Sequence, residues 1–165
     1  MKKKLQKGIS LIEILVVITI FAVLGMIVSS SLILTMQGTK KSEAMIKVRE
    51  NLNYSLSVVE RNLRNASLIL NCTGESVSVI NYTDQYGISS SFSCMNIGST
   101  TDSFIASGSA RLTSDNIKIT ACNFVCKSNA PNPPYVTISV TGQDANYTGA
   151  EGSSVSVESK IYLRN

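Results

Sequence analysis

The sequence contains no histidine, which removes the commonest catalytic base and a frequent metal ligand. It also lacks a Gly-x-Ser-x-Gly nucleophile motif and a phosphate-binding glycine loop, and no cysteine is paired with a base. We therefore expect no enzyme activity, no cofactor and no metal site.

Charge is also scarce, at 16% of residues, and the net charge of +4 comes from one end of the chain. Four of the 15 Lys and Arg residues lie within the first eight positions, which leaves 11 basic residues against 11 acidic ones. Positive charge of this kind holds the flank of a membrane segment on its cytoplasmic side. The rest of the chain is neutral, so we expect no nucleic-acid partner and interpret Lys118 and Lys127 as ordinary solvated surface.

A long apolar run lies near the N-terminus of this 165-residue chain, which has room for about one domain. Residues 14–36 contain no Asp, Glu, Lys or Arg. As a helix rising about 1.5 Å per residue, the run is long enough to cross a hydrocarbon core of about 30 Å. A cleaved secretory signal has a shorter apolar region of about 7 to 15 residues, so we predict a membrane span.

One carboxylate, Glu13, directly precedes this run. Burying an ionised group in the bilayer costs a few kcal/mol, so such groups are usually paired or functional. Two interpretations stay open on these grounds alone: Glu13 lies in water at the interface, or a partner neutralises it.

The segment around Glu13 carries a resemblance. Lys7-Gly8 followed by Ile9-Ser10-Leu11-Ile12-Glu13-Ile14-Leu15-Val16-Val17 resembles the class III signal of type IV pilins and type II secretion pseudopilins. In that family a basic leader ends in glycine, a prepilin peptidase cuts after it, and the new N-terminal residue is methylated. The resemblance implies cleavage between Gly8 and Ile9. It makes Glu13 the fifth mature residue, paired in the filament with the N-terminal amine of a neighbouring subunit.

The resemblance also implies partners and a location. The partners are other pilin or pseudopilin subunits, the prepilin peptidase, an inner-membrane platform with its ATPase, and membrane lipid before assembly. The chain would cross the inner membrane once, with its head outside the cytoplasm, and then enter an extracytoplasmic or cell-surface filament. Many pilins carry a helix-disrupting proline where this chain has Val28-Ser29-Ser30-Ser31-Leu32, so the chain resembles minor, tip-forming subunits more than shaft subunits.

Three functions remain open at this point. The first is a structural subunit of a type IV pilus-like filament, which includes a competence pilus. The second is a pseudopilin of a type II secretion system. The third alternative is a membrane-anchored binding domain that never polymerises, which explains the span but not Gly8 and Glu13 together.

Beyond the apolar run, hydrophobic residues recur at steps of three and four, which is typical of one helix face. We predict one helix from about Ser10 to about Leu70, with an apolar half over residues 9–36 and an amphipathic half over 37–71, after a leader at 1–8. The predicted face comprises Met45, Val48, Leu52, Leu56, Val59, Leu63, Ala66 and Leu70.

From Cys72 the apolar pattern changes to period two, which predicts strands with one buried face. The fold class is therefore α+β, a long N-terminal helix packed on an antiparallel sheet of about four to six strands over residues 72–165. Strands at about Tyr135 to Thr141 and about Ser153 to Leu163 should form a hairpin. The alternating positions include Val77 and Val79, Ile117 and Ile119, Val136, Ile138 and Val140, and Val155 to Leu163.

All four cysteines lie beyond the membrane run, on the side where disulfides form. Their spacing matches no zinc framework, and three connectivities are possible. Sequence proximity favours Cys72 with Cys94 and Cys122 with Cys126. The second bridge needs a turn between its cysteines, because a strand would hold their α-carbons about 13 Å apart.

Two carboxylates in the predicted hairpin loop, Asp144 and Glu151, are candidate calcium ligands. They lack a defined spacing of oxygen ligands, so we interpret them as ordinary loop residues.

Overall fold

The computed structural model describes residues 10–70, 72–99, 102–128, 133–146 and 153–163. The chain divides into two compact units, Met1–Thr39 and Lys40–Asn165. Within the described residues one helix is followed by nine strands, so the α+β class is confirmed. The elements are α1 (Leu11–Arg64), β1 (Leu68–Leu70), β2 (Ser76–Val77), β3 (Val79–Thr83), β4 (Ser89–Met95), β5 (Phe104–Ser107), β6 (Ala110–Arg111), β7 (Ile117–Lys127), β8 (Tyr135–Asp144) and β9 (Ser154–Tyr162).

Helix α1 begins one residue after the predicted start, but the prediction that it reaches Leu70 is wrong. The final turn tightens, because the amides of Asn65 and Ala66 donate hydrogen bonds to carbonyl oxygens three residues earlier. The Ser67 amide then donates to the Thr83 carbonyl oxygen at 2.9 Å, and the chain enters β1. Leu70 therefore lies in a strand and is 42% exposed. The short run Leu-Ile-Leu fits both the helical and the strand periodicity, and its pairing with β3 makes it a strand.

The second half of α1 buries one face, largely as predicted. Val48, Leu52, Leu56, Val59 and Leu63 are buried in the core of the Lys40–Asn165 unit. The prediction that Met45 belongs to this buried face is wrong, because its neighbour Ala44 takes the buried position. A buried hydroxyl also lies on this face: Ser55 donates from Oγ to the Asn51 carbonyl oxygen at 2.9 Å, which satisfies it inside the core.

The strands form two antiparallel sheets rather than the one sheet predicted. The first has the order β1-β3-β4-β5-β6, and the second has the order β2-β7-β8-β9. The sequence pattern predicts one strand through Val77 and Val79. The two residues belong to different sheets, because the chain changes sheet at Ser78. The Ser78 carbonyl oxygen accepts from the Cys94 amide at 2.8 Å, so this crossing residue is still hydrogen-bonded. Alternation alone cannot show such a change, because it reports burial and not the neighbouring strand.

The predicted C-terminal hairpin is confirmed. Strands β8 and β9 pair antiparallel from Tyr135 opposite Tyr162 to Gln143 opposite Ser154. Strand β8 passes close to α1 at Gly142, where a Cβ atom would lie 3.4 Å from Cδ2 of Leu52 and 3.4 Å from the Lys118 carbonyl oxygen. Glycine at this position lets the helix and the sheet approach closely.

Leu52 is the residue through which this packing is best tested. We expect Leu52→Ala to lower the free energy of unfolding by about 3 kcal/mol, because a fully buried leucine leaves a cavity. Tyr54→Ala, at a position 63% exposed on the same helix, should cost less than about 0.5 kcal/mol. Urea unfolding of the full chain in detergent, followed by tyrosine fluorescence, measures both. Equal losses would contradict the packing described here.

Candidate functional site

Glu13 lies in the first turn of α1, where the positive end of the helix dipole stabilises its carboxylate. Its amide donates to the Ser10 carbonyl oxygen at 3.0 Å. Ser10 directly precedes the helix and Glu13 follows three residues later, which is the spacing of a capping box. The sequence analysis missed this pattern, although the residues Ser10 and Glu13 alone reveal it. The predicted cleavage residues Gly8 and Ile9 lie outside the described residues.

The part of α1 within the Met1–Thr39 unit presents apolar side chains on every face. From Leu11 to Met36 its large hydrophobic residues are all exposed. A helix that is apolar all round is stable only in lipid or among other apolar helices. By length and composition α1 is able to cross a membrane, with a mean hydropathy of 2.9 in its most apolar window.

Four hydroxyl groups within this apolar half are satisfied by the helix itself. The side chains of Thr19, Ser29, Ser30 and Thr35 each donate to a carbonyl oxygen three or four residues earlier, at 2.8 to 2.9 Å. An unpaired hydroxyl in hydrocarbon would cost several kcal/mol. These groups therefore do not oppose insertion into lipid, and they need no partner from another chain.

The structure contradicts the favoured cysteine pairing. Cys72 bonds Cys126 with α-carbons 4.8 Å apart, and Cys94 bonds Cys122 with α-carbons 5.9 Å apart. Strand β7 runs through Cys122 and Cys126 without the turn that a bridge between them requires. These two residues, four apart on one strand, point to the same side and meet cysteines on other segments.

Both disulfides therefore have one end in β7. The Cys94–Cys122 bridge links β4 of the first sheet to β7 of the second. The Cys72–Cys126 bridge ties the segment after β1 to the other end of β7. The Gly74 amide also donates to the Cys126 carbonyl oxygen at 2.8 Å, so the backbone is held beside that bridge.

Of the two calcium candidates, the structure describes Asp144. Asp144 is buried, and its Oδ1 accepts from the Asn146 amide at 2.8 Å, which is the geometry of a loop-capping aspartate. Glu151 lies outside the described residues. Across residues for which positions are described, no group of three or more His, Cys, Asp or Glu is arranged to hold a metal ion.

One polar cluster was missed by the sequence analysis. The Lys160 ammonium lies 4.0 Å from the ring centroid of Tyr135 and 5.1 Å from that of Tyr162. A hydrogen bond with the Tyr162 hydroxyl raises the pKa of Lys160. The three residues are 27 positions apart at most, and only the β8–β9 register reveals that they meet.

An apolar helix half with a carboxylate at its start, joined in sequence to a disulfide-linked α+β unit, is consistent with the class of membrane-anchored structural proteins. Residues 3–29 match the family model of the prokaryotic N-terminal methylation motif. This is the class III signal of type IV pilins, and it confirms the resemblance that the sequence predicted.

The motif supports a precursor of the type IV pilin or pseudopilin kind, which is a structural class and not a known class of enzyme. It implies, in general terms, processing by a peptidase and assembly with other pilin subunits, and it is consistent with membrane anchoring. No curated protein and no solved structure matches the chain significantly.

Proposed function

We propose that the chain is the precursor of a minor subunit of a type IV pilus-like filament. A prepilin peptidase cleaves it between Gly8 and Ile9, the new N-terminus is methylated, and the subunit assembles through its apolar helix. The observation that carries the proposal is the methylation motif at residues 3–29, which overlaps a helix with exposed apolar side chains on every face.

The apolar half of α1 serves as anchor and as assembly element in turn. Before assembly, acyl chains cover its side chains. In the filament, the helices of neighbouring subunits replace those acyl chains, and van der Waals packing between helices holds them together. Because the serine and threonine hydroxyls bond within their own helix, the transfer from lipid to protein breaks none of their hydrogen bonds.

Glu13 gives this assembly its register. In lipid the carboxylate stays near the interface, at the start of the helix. In the filament it accepts hydrogen bonds from the methylated N-terminal amine of the neighbouring subunit. A charged pair in a dry environment forms only when both members are aligned, so an out-of-register subunit leaves both charges unpaired.

The assignment as a minor subunit is supported by the continuity of α1. The helix runs from Leu11 to Arg64 without a proline, including the segment Val28 to Leu32. A tip subunit needs to dock on fewer neighbours than a shaft subunit, so a helix without a proline suffices there. The same helix fits a minor pseudopilin, and gene neighbours separate the two systems.

The N-terminus of the native protein tests the proposal most directly. We expect intact-mass and peptide spectra of the membrane-extracted protein to begin at Ile9 and to carry one extra methyl group. Gly8→Val should leave the whole leader attached, because a β-branched residue cannot adopt the open conformations available to glycine at the cleavage point. Gln6→Ala serves as a control within the leader and should be processed normally.

An opposite result is equally clear. A native protein that keeps its lysine-rich leader and is never found in sheared filaments would overturn the proposal. A membrane-anchored binding domain that does not polymerise would then be the better description.

A further inference from the structure

The second sheet has an outer face, opposite its core side, which carries the odd-numbered residues of β8, the even-numbered residues of β9 and the odd-numbered residues of β7 from Ala121 to Lys127. The assignment follows from alternation, because Val136, Ile138 and Val140 are buried and successive strand residues point to opposite sides. Residues paired across an antiparallel ladder share a face, so the register extends the assignment to β7 and β9.

The outer face is polar almost throughout. Ala121 and Val125 are its aliphatic members among the described residues, and nearly all other positions carry hydroxyl, amide or ammonium groups. Short hydroxyls occupy its centre, where Thr141 and Ser156 lie 2.8 Å apart in a cross-strand hydrogen bond. Such a surface offers little aliphatic area for another protein chain to bury, but it matches a ligand that itself presents many hydroxyl groups.

One end of the outer face is basic and aromatic. Tyr135 and Tyr162 face each other across the ladder with ring centroids 5.9 Å apart, and the Lys160 ammonium lies against both rings. Contact with both rings favours a side-chain conformation that directs the ammonium toward the two tyrosines. Tyr162 remains 52% exposed and offers aromatic surface beside the charge.

A second lysine lies at the same end of the outer face. Lys127 of β7 is paired with Tyr135, and Lys160 of β9 is paired with Thr137, two residues further along β8. This register places the α-carbons of the two lysines about 12 Å apart. Among the described residues, the ion pairs that the structure records include neither lysine. Glu158 is the acidic member of the face, and it lies two residues from Lys160 toward the hydroxyl-rich centre.

The charge pattern favours a sparsely charged polyanion over nucleic acid. A nucleic acid carries a phosphate at every residue, and its protein sites combine many cations with free ring faces for stacking. Here two lysines stand at one end beside a glutamate, and Lys160 already covers the Tyr135 ring. A sugar polymer with carboxylate groups presents few charges among many hydroxyls, which is the same mixture as this face.

We propose that the outer face binds an acidic polysaccharide, with a carboxylate of the sugar held by Lys160 and Lys127 and the sugar rings lying along Tyr162 and the hydroxyl-rich strands. The binding goes beyond the proposed filament role and does not depend on it. A head with this property would attach its owner to uronate-rich surfaces or matrices.

Binding of the detergent-solubilised full chain to immobilised polygalacturonate tests the proposal, with dextran as the neutral polymer and a thymidine oligonucleotide as the nucleic acid. We expect retention on polygalacturonate and none on dextran. Lys160→Gln should weaken binding about tenfold, since a hydrogen bond to a charged group contributes about that factor. Tyr162→Ala should weaken it as well. Lys41→Gln, an equal charge change on an exposed position of α1, should leave it unchanged.

Three results would overturn the proposal. These are no binding to polygalacturonate, equal losses in Lys160→Gln and Lys41→Gln, and tighter binding to the oligonucleotide than to the uronate polymer. The last result would identify the face as a nucleic-acid surface. Unchanged circular dichroism spectra of the variants exclude misfolding as the cause of a loss.

Discussion

Glu13→Val is expected to enter the membrane as well as the wild-type chain and to be nearly absent from filaments. The substitution removes a charge and joins the uncharged residues 8–12 to the apolar run, so insertion is not impaired. In the proposed filament, however, it would leave the N-terminal amine of a neighbouring subunit without its carboxylate. Breaking a buried ion pair by removing one member costs about 3 to 5 kcal/mol, which is a hundredfold or more in incorporation.

Glu13→Gln distinguishes this pairing from a merely local role. Glutamine at the third helical position serves a capping box as well as glutamate does, so a capping function would survive the exchange. It carries no charge, so an ion pair would not survive. We therefore expect Glu13→Gln to fail in assembly almost as severely as Glu13→Val.

The measurement compares each variant in membrane and sheared-filament fractions by quantitative immunoblotting, with Ser10→Ala as the control that removes the other half of the capping box. Normal incorporation of Glu13→Gln, together with a defect in Ser10→Ala, would assign Glu13 to helix capping alone.

Loss of the disulfides is expected to produce the second large effect. The bridges close separations of 54 and 28 residues, for which chain entropy predicts a contribution of about 4 kcal/mol each. Replacing Cys72 and Cys126 together with alanine should therefore lower the melting temperature of the head by about 12 °C. Alanine is preferred to serine because Cys126 is buried, and a hydroxyl there would lack a partner.

Double substitutions also distinguish the connectivities. With the pairs seen in the structure, Cys72→Ala with Cys126→Ala leaves no free thiol, whereas Cys72→Ala with Cys94→Ala leaves two, because Cys122 and Cys126 cannot pair within a strand. Maleimide labelling of the denatured, unreduced protein counts these thiols. The reverse result, with no thiol in the second variant, would show that the cysteines pair with their neighbours in sequence.

The features that depend on a single helix or strand were predicted best from the sequence. The steps of three and four from Val48 to Leu63 predict the buried helix face, and the alternation around Val136 and Val155 predicts the last hairpin. Features that depend on how elements meet were predicted wrongly. The division into two sheets at Ser78 is one, and the cysteine pairs are the other. Both require knowledge of which strand lies beside which, and no local pattern contains it.

The candidate sites follow the same rule. Glu13 lies within the methylation motif, so a linear pattern suffices to recognise both. The cluster of Tyr135, Lys160 and Tyr162 forms only through the β8–β9 register, so the sequence shows it as three unrelated residues. Leu70 is an intermediate case, because its spacing fits the helix face although its backbone pairs with β3.

The nesting of the two bridges has a consequence for biogenesis. If the head leaves the cytoplasm with its amino end first, Cys72 and Cys94 emerge together while both of their true partners are still inside. An oxidase acting on the emerging chain would then join the wrong two thiols. Correct maturation of this head therefore calls for either delayed oxidation or a disulfide isomerase, which a protein with consecutive bridges would not need.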